Sequence, residues 1–141
     1  MNDENEIFNR IKASLDRASS VLDIKNKIEE EIYKIVKKLE DFTHNKIEIL
    51  IKTNRFEDMD FQSGNSLVCI SKTKLNFNYG FILFGYNIDD VSGFPVEIET
   101  EQEVFNASDF KELSNIIANI IDKASIKIME LAYKNIEELP F

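Results

Sequence analysis

Two side chains often used for nucleophilic or acid–base work occur once each in this chain: the histidine His44 and the cysteine Cys69. An imidazole serves as a general base or metal ligand when other groups converge on it. His44 instead falls at an expected helix end, where histidine commonly meets the last backbone carbonyls. Cys69 alternates with Leu67 and Ser71 in an apolar, strand-like run. A reactive thiol needs an electropositive, partly exposed setting, so a buried, inert cysteine is the expectation. Nothing in the spacing makes these two a Cys–His pair.

The acidic residues offer more pattern. Glu97, Glu99, Glu101 and Glu103 alternate with Val96, Ile98 and Thr100. In an extended segment that spacing puts all four carboxylates on one side. They read as the solvent face of an amphipathic strand, or as an acidic stripe that meets a basic partner. Asp89 and Asp90 followed by Ser92 and Gly93 hint at a calcium loop, but the twelfth position is Thr100 rather than glutamate, so a turn fits better. Asp58 with Asp60 fails in the same way. The four glycines are scattered at positions 64, 80, 85 and 93, which leaves no phosphate-cradling loop. The expectation is no catalytic residue, no metal site and no cofactor.

The elements that must position these residues follow from periodicity. Residues 4–42 contain neither Gly nor Pro. Apolar residues recur at Phe8, Ile11, Leu15, Ala18 and Leu22, then at Ile24, Ile28, Ile32, Ile35, Leu39 and Phe42. Both runs step by three and four, as one face of a helix does. The phase slips at residues 19–23, so either one long helix bends there or two helices meet. Ser20 or Asp23 would cap the second. Lys34, Lys37 and Lys38 lie a turn from Glu29, Glu30 and Glu31, a solvated face rather than a basic patch.

Four strands are expected next. Residues 46–52 alternate, with Ile47, Ile49 and Ile51 on one side. Residues 66–72 form a second strand. Residues 77–88 form a third that is apolar on both faces and therefore central. Phe77, Tyr79, Phe81 and Leu83 lie on one face, and Ile82, Phe84, Tyr86 and Ile88 on the other. Residues 94–100 form the fourth, where Pro95 argues for an edge or a strand start. Asp109 and Glu112 have capping-box spacing before a last helical stripe from Phe110 to Leu131. The fold class expected is α+β: a long N-terminal helix or helix pair, a four-stranded, mostly antiparallel meander, and a long C-terminal helix packed on one face. One domain spans residues 1–141, with helix over 1–43, sheet over 46–100 and helix over 108–134.

Composition narrows function by exclusion. The formal net charge is −9, which argues against nucleic acid as a partner. No apolar run reaches the roughly 20 residues of a membrane span, and the first residues, Met-Asn-Asp-Glu, do not resemble a secretory signal. A cytoplasmic location is expected, in keeping with the lone cysteine. The functional expectation is a non-enzymatic domain that binds another protein, one of basic character. It would be an acidic inhibitor of immunity or antitoxin and anti-defence type, from a bacterium, phage or other mobile element. Candidate partner-binding residues are Glu97, Glu99, Glu101 and Glu103, with Tyr79 and Tyr86 from the aromatic strand. The long helical stripes could also pair two copies of the chain. Two alternatives stand beside this. The aromatic strand could line a pocket for a small apolar ligand between sheet and helices. Small size, low pI and an amphipathic last helix also resemble the chaperones that hold type III secretion effectors, although those interleave helices with strands.

Overall fold

The computed structural model describes residues 3–54, 64–72 and 80–133. The order of elements is α1 (Asp3–Phe42), β1 (Ile47–Thr53), β2 (Ser66–Lys72), β3 (Gly80–Asp89), β4 (Gly93–Glu99), β5 (Val104–Ala107) and α2 (Phe110–Tyr133). The strands pair antiparallel in sequence order, a meander of five. The fold is α+β as expected, with a fifth strand where four were read.

α1 is one uninterrupted helix, so the phase slip marks no junction of two helices. The Ser20 hydroxyl, read as a cap, donates back to the Asp16 carbonyl within the helix. The helix stops in a Schellman motif. His44 takes the left-handed conformation (φ 55°), which histidine tolerates better than most residues. The Asn45 N–H donates to the Glu40 carbonyl (2.7 Å) and the His44 N–H to that of Asp41 (3.1 Å). Glu40 then ties the helix end to edge strand β1, accepting the Ile49 N–H at 2.8 Å. That removes one open donor from the sheet edge.

Only the second half of α1 is seated. Ile28, Ile32, Val36 and Leu39 are buried against a sheet face that presents Ile47, Ile49, Val68, Ile70, Phe84, Val96 and Ile98. α2 covers the rest of that face with Leu113, Ile117, Ile120, Ile128 and Ala132. Each such side chain contributes roughly 1.5–3 kcal/mol on burial. α2 begins with the expected capping box: Asp109 Oδ1 accepts the Glu112 N–H (2.8 Å), and Glu112 Oε2 reaches back to the Ser108 N–H. It ends on Lys72, whose buried ammonium donates to the carbonyls of Leu131 (3.1 Å) and Ala132 (2.8 Å).

β3 is the middle strand, as its two-sided apolar pattern implies, but the faces are not those of strict alternation. Val68 pairs with Phe84 and the next residue, Cys69, pairs with Ile82. Leu83 is therefore an extra residue, a β-bulge. The bulge turns Phe81 and Leu83 into the same core as Phe84, Tyr86 and Ile88. Ile82 alone crosses to the opposite face, against Leu67 and Cys69. Pro95 lies near the start of β4, inside a register shift, although β4 is an interior strand.

The β3–β4 hairpin touches α1 at Gly93, whose φ is +83° and where an added Cβ would come within 2.7 Å of Ile24 Cγ2. Gly93→Ala therefore combines left-handed strain with a clash, and should cost about 1–3 kcal/mol in chemical denaturation. Lys72→Met keeps the apolar stem and removes two charged hydrogen bonds from the end of α2. A loss of about 1–3 kcal/mol is expected in the same measurement.

Candidate partner-binding surfaces

The residues singled out from sequence do not assemble into one surface. Glu97 and Glu99 lie on β4, facing away from the helices, opposite Asn106 and Val104 of β5. Glu99 is only 9 % exposed. The strand then ends. Thr100 makes the turn, its N–H donating to the Glu103 carbonyl (2.9 Å) and its hydroxyl accepting the Glu103 N–H (3.1 Å). Glu101 and Glu103 lie within this turn, and Glu103 pairs with Lys123 of α2 at 3.4 Å. The four glutamates are thus split between a sheet face and a turn.

Tyr86 points into the core and is 3 % exposed, so it offers nothing to a partner. Burial pushes its phenol up to about 12, with the Glu29 charge acting in the same direction and a Ser66 hydrogen bond opposing. Tyr79 lies outside the described residues, as do Phe77, Asp58 and Asp60. Cys69 is buried on the sheet face turned from the helices, while His44 lies in the connection from α1 to β1. Among the described residues, no three of His, Cys, Asp and Glu gather in a way that could hold a metal ion. Nor is any helix among them long and apolar enough to cross a membrane.

A different surface stands out. Every residue over 3–20 is exposed. The first half of α1 therefore runs past the sheet as an arm of about 27 Å, at 1.5 Å per residue. Ile7, Phe8, Ile11, Leu15 and Leu22 are each 51–65 % exposed. Phe8, Ile11, Leu15, Ala18 and Leu22 are spaced 3 and 4 apart and form one continuous strip. At 3.6 residues per turn this strip is rotated by about 100° from the buried one that begins at Ile24. The phase slip in the sequence is this change of direction on a single helix. Its signal was legible as two stripes, but periodicity does not say what covers each.

At the root of the arm the β3–β4 turn stands beside α1. Lys25 Nζ meets Asp90 Oδ1 at 2.8 Å, and that ammonium holds the Asp90 carboxyl below its usual range. Ala18, Val21, Leu22, Lys25, Asp90 and Val91 line an open groove of about 900 Å³ there. α2 carries a shorter exposed strip of Ile126, Met129 and Tyr133. A separate cavity of about 370 Å³ opens between α2 and the sheet, lined by Phe81, Leu83, Phe105 and Ile120 with Glu103 and Lys127 at its polar side. Lys127 Nζ sits 4.3 Å from the centre of the Phe81 ring, a cation–π contact.

No known family model matches the chain, and no curated protein or solved structure matches it.

The Tyr86 phenol gives this core an alkaline signature. Between pH 10 and about 12 the folded chain keeps a proton that the unfolded chain releases, so stability falls as pH rises through that window. Lys72 acts in the opposite sense at lower pH, because burial, with Lys46 nearby, lowers its pKa from 10.5. Tyr86→Phe removes the tyrosine contribution alone. Melting curves of Y86F and wild type taken from pH 9 upward should converge or cross as the wild type loses stability faster.

Proposed function

We propose that the chain is a protein-binding domain without catalytic activity, and that its docking element is the exposed half of α1. The observation that carries this is the unpartnered strip Phe8, Ile11, Leu15, Ala18 and Leu22. Contiguous apolar surface of this kind marks interaction sites. The polar side of the arm mixes Arg10, Lys12 and Arg17 with Asp3, Glu6, Asp16 and Asp23. A helix lying on an anionic bilayer is rich in Lys and Arg on that side, so a protein fits the arm better than a membrane. The narrower form, a cytoplasmic acidic inhibitor of immunity or antitoxin type from a bacterium or phage, draws its support from the net charge of −9 and the lone buried cysteine. In that form Glu97 and Glu101 remain available for steering a basic partner.

A second reading, a small apolar-ligand domain, has the cavity beside Phe81 and Phe105 in its favour, since its size is at the low end of ligand pockets. Ligand-dependent stabilisation in thermal melts across fatty acids and aromatic metabolites would support that reading over the first.

The test of the first reading compares wild-type chain with a Phe8→Glu, Leu15→Glu double variant. Both carry a tag and are used to capture proteins from an extract of the source organism, together with a differently tagged copy of the chain. Both side chains are exposed, so melting temperature should stay within a few degrees. A bound protein, foreign or self, should lose roughly tenfold or more in affinity to the variant, as for two truncated anchor residues. Equal binding to both baits removes the arm from the proposal. No bound protein for either bait removes the proposal itself.

A further inference from the structure

The arm's strip has a property that its exposure alone does not require: it is complementary to its own reversal. Along the line of the strip the residues run Glu4, Phe8, Ile11, Leu15, Ala18, Leu22 and Lys25, at alternating steps of four and three. We infer that the arm's partner is a second copy of this chain, laid antiparallel about a two-fold axis beside Leu15. This rests on the arm being a protein-docking element, and names what docks there.

In that arrangement Phe8 faces Leu22, Ile11 faces Ala18, and Leu15 faces its own counterpart. Phe8 thereby meets the smaller Leu22 and Ile11 the small Ala18, as close packing of facing helices favours. Both ends of the strip then place Glu4 opposite Lys25. Lys25 already holds Asp90 at 2.8 Å, but an ammonium has three donors and can take a carboxylate from each copy. Laid parallel and in register, the same strip would set Glu4 against Glu4 and Lys25 against Lys25, with the acidic first turns of Asp3, Glu4 and Glu6 side by side. Like charges so placed oppose association.

The body of the molecule supplies a seat for the incoming arm. With Phe8 opposite Leu22, the phenyl ring arrives at the groove between α1 and the β3–β4 turn, where exposed Ala18 and Val91 and half-buried Val21 are apolar walls. Val91 is 81 % exposed at the tip of that turn, an apolar residue where turns usually place polar ones. Ile7, on the flank of the strip, would lie against Val21 in the same groove. Two copies thereby form two equivalent seats, one at each end of the paired arms.

The experiment uses the full chain. Sedimentation velocity of wild type over a concentration series should show a dimer, and Leu15→Glu should convert it to a folded monomer with unchanged circular dichroism. Direction is read by oxidative cross-linking. Leu15→Cys should form a disulfide-linked dimer. Phe8→Cys mixed with Leu22→Cys should give a heterodimeric cross-link, while Phe8→Cys alone should give none. Cross-linking of Phe8→Cys with itself would overturn the antiparallel arrangement. A wild type that stays monomeric throughout the series would overturn the second copy as partner. If such a monomer still captured a foreign protein, and lost it with Phe8→Glu and Leu15→Glu, the protein-binding reading would survive while this inference failed.

Discussion

The seating of Ile28, Ile32, Val36 and Leu39 on the sheet is the constraint from which the rest of the molecule follows. α1 makes contact with β1 and, three strands away, with β4, so the helix crosses the meander obliquely. A meander is a chain of local hairpins, and each pair of strands could twist against the next. A rigid rod packed across it fixes that twist. The rod's position is set at both ends. Glu40 and the Schellman turn hold one end against the β1 edge, and Gly93 lets the β3–β4 turn close onto Ile24 at the other. α2 then fills the remaining width, stapled at its last carbonyls by Lys72. The arm inherits its direction from this seat. Helix nucleation is the costly step, and here the packed half provides it, so the exposed half needs only to propagate.

Much of this was legible in the sequence, and the misreadings share a cause. The absence of Gly and Pro over residues 4–42, the alternation of Ile47, Ile49 and Ile51, the two-sided apolar run of β3, and the Asp109–Glu112 cap are all local signals, and local structure obeys them. The errors arose where two structures write the same local pattern. Two helices that meet and one helix whose apolar strip changes direction both show a phase slip. A strand with strict alternation and one with a bulge at Leu83 differ only in what sits opposite, which is a property of β2. β5 has four residues, too few to show a period. Its presence was further masked by reading Glu97, Glu99, Glu101 and Glu103 as one extended line. Thr100 was the available clue, since its hydroxyl can cap a turn in the way that Asp or Asn does.

The candidate site was less legible than the fold, for a related reason. Residue type says what a side chain can do, but burial decides whether it can do it with anything outside. Tyr86 has the chemistry of an interface residue and spends it on the core. Glu99 has the charge of a rim residue and is only 9 % exposed. Conversely, Phe8 and Leu15 look like core residues in every respect, and both are more than half exposed. Apolar surplus on a helix that is otherwise fully accounted for is a stronger pointer to a partner than charge on a strand, because exposed charge needs no explanation and an exposed apolar strip does.

Symmetry decides what that surplus can safely do. An apolar strip that fitted some other patch of its own surface would join copies head to tail and leave an open site after every addition, the geometry of fibres. A strip that fits its own reversal closes at two, because each copy uses the same residues to give and to receive. The antiparallel pairing inferred for the strip from Glu4 to Lys25 is of the second kind. Closure at two also leaves Glu97, partly exposed beside Asn87 and Asn106 on the opposite face of each sheet, outside the paired arms. The arm and Glu97 therefore do not compete for the same surface. Pairing through the first would present the second twice, on opposite sides of one two-fold axis, and a partner with matching symmetry would meet both copies with a gain in avidity that neither copy has alone.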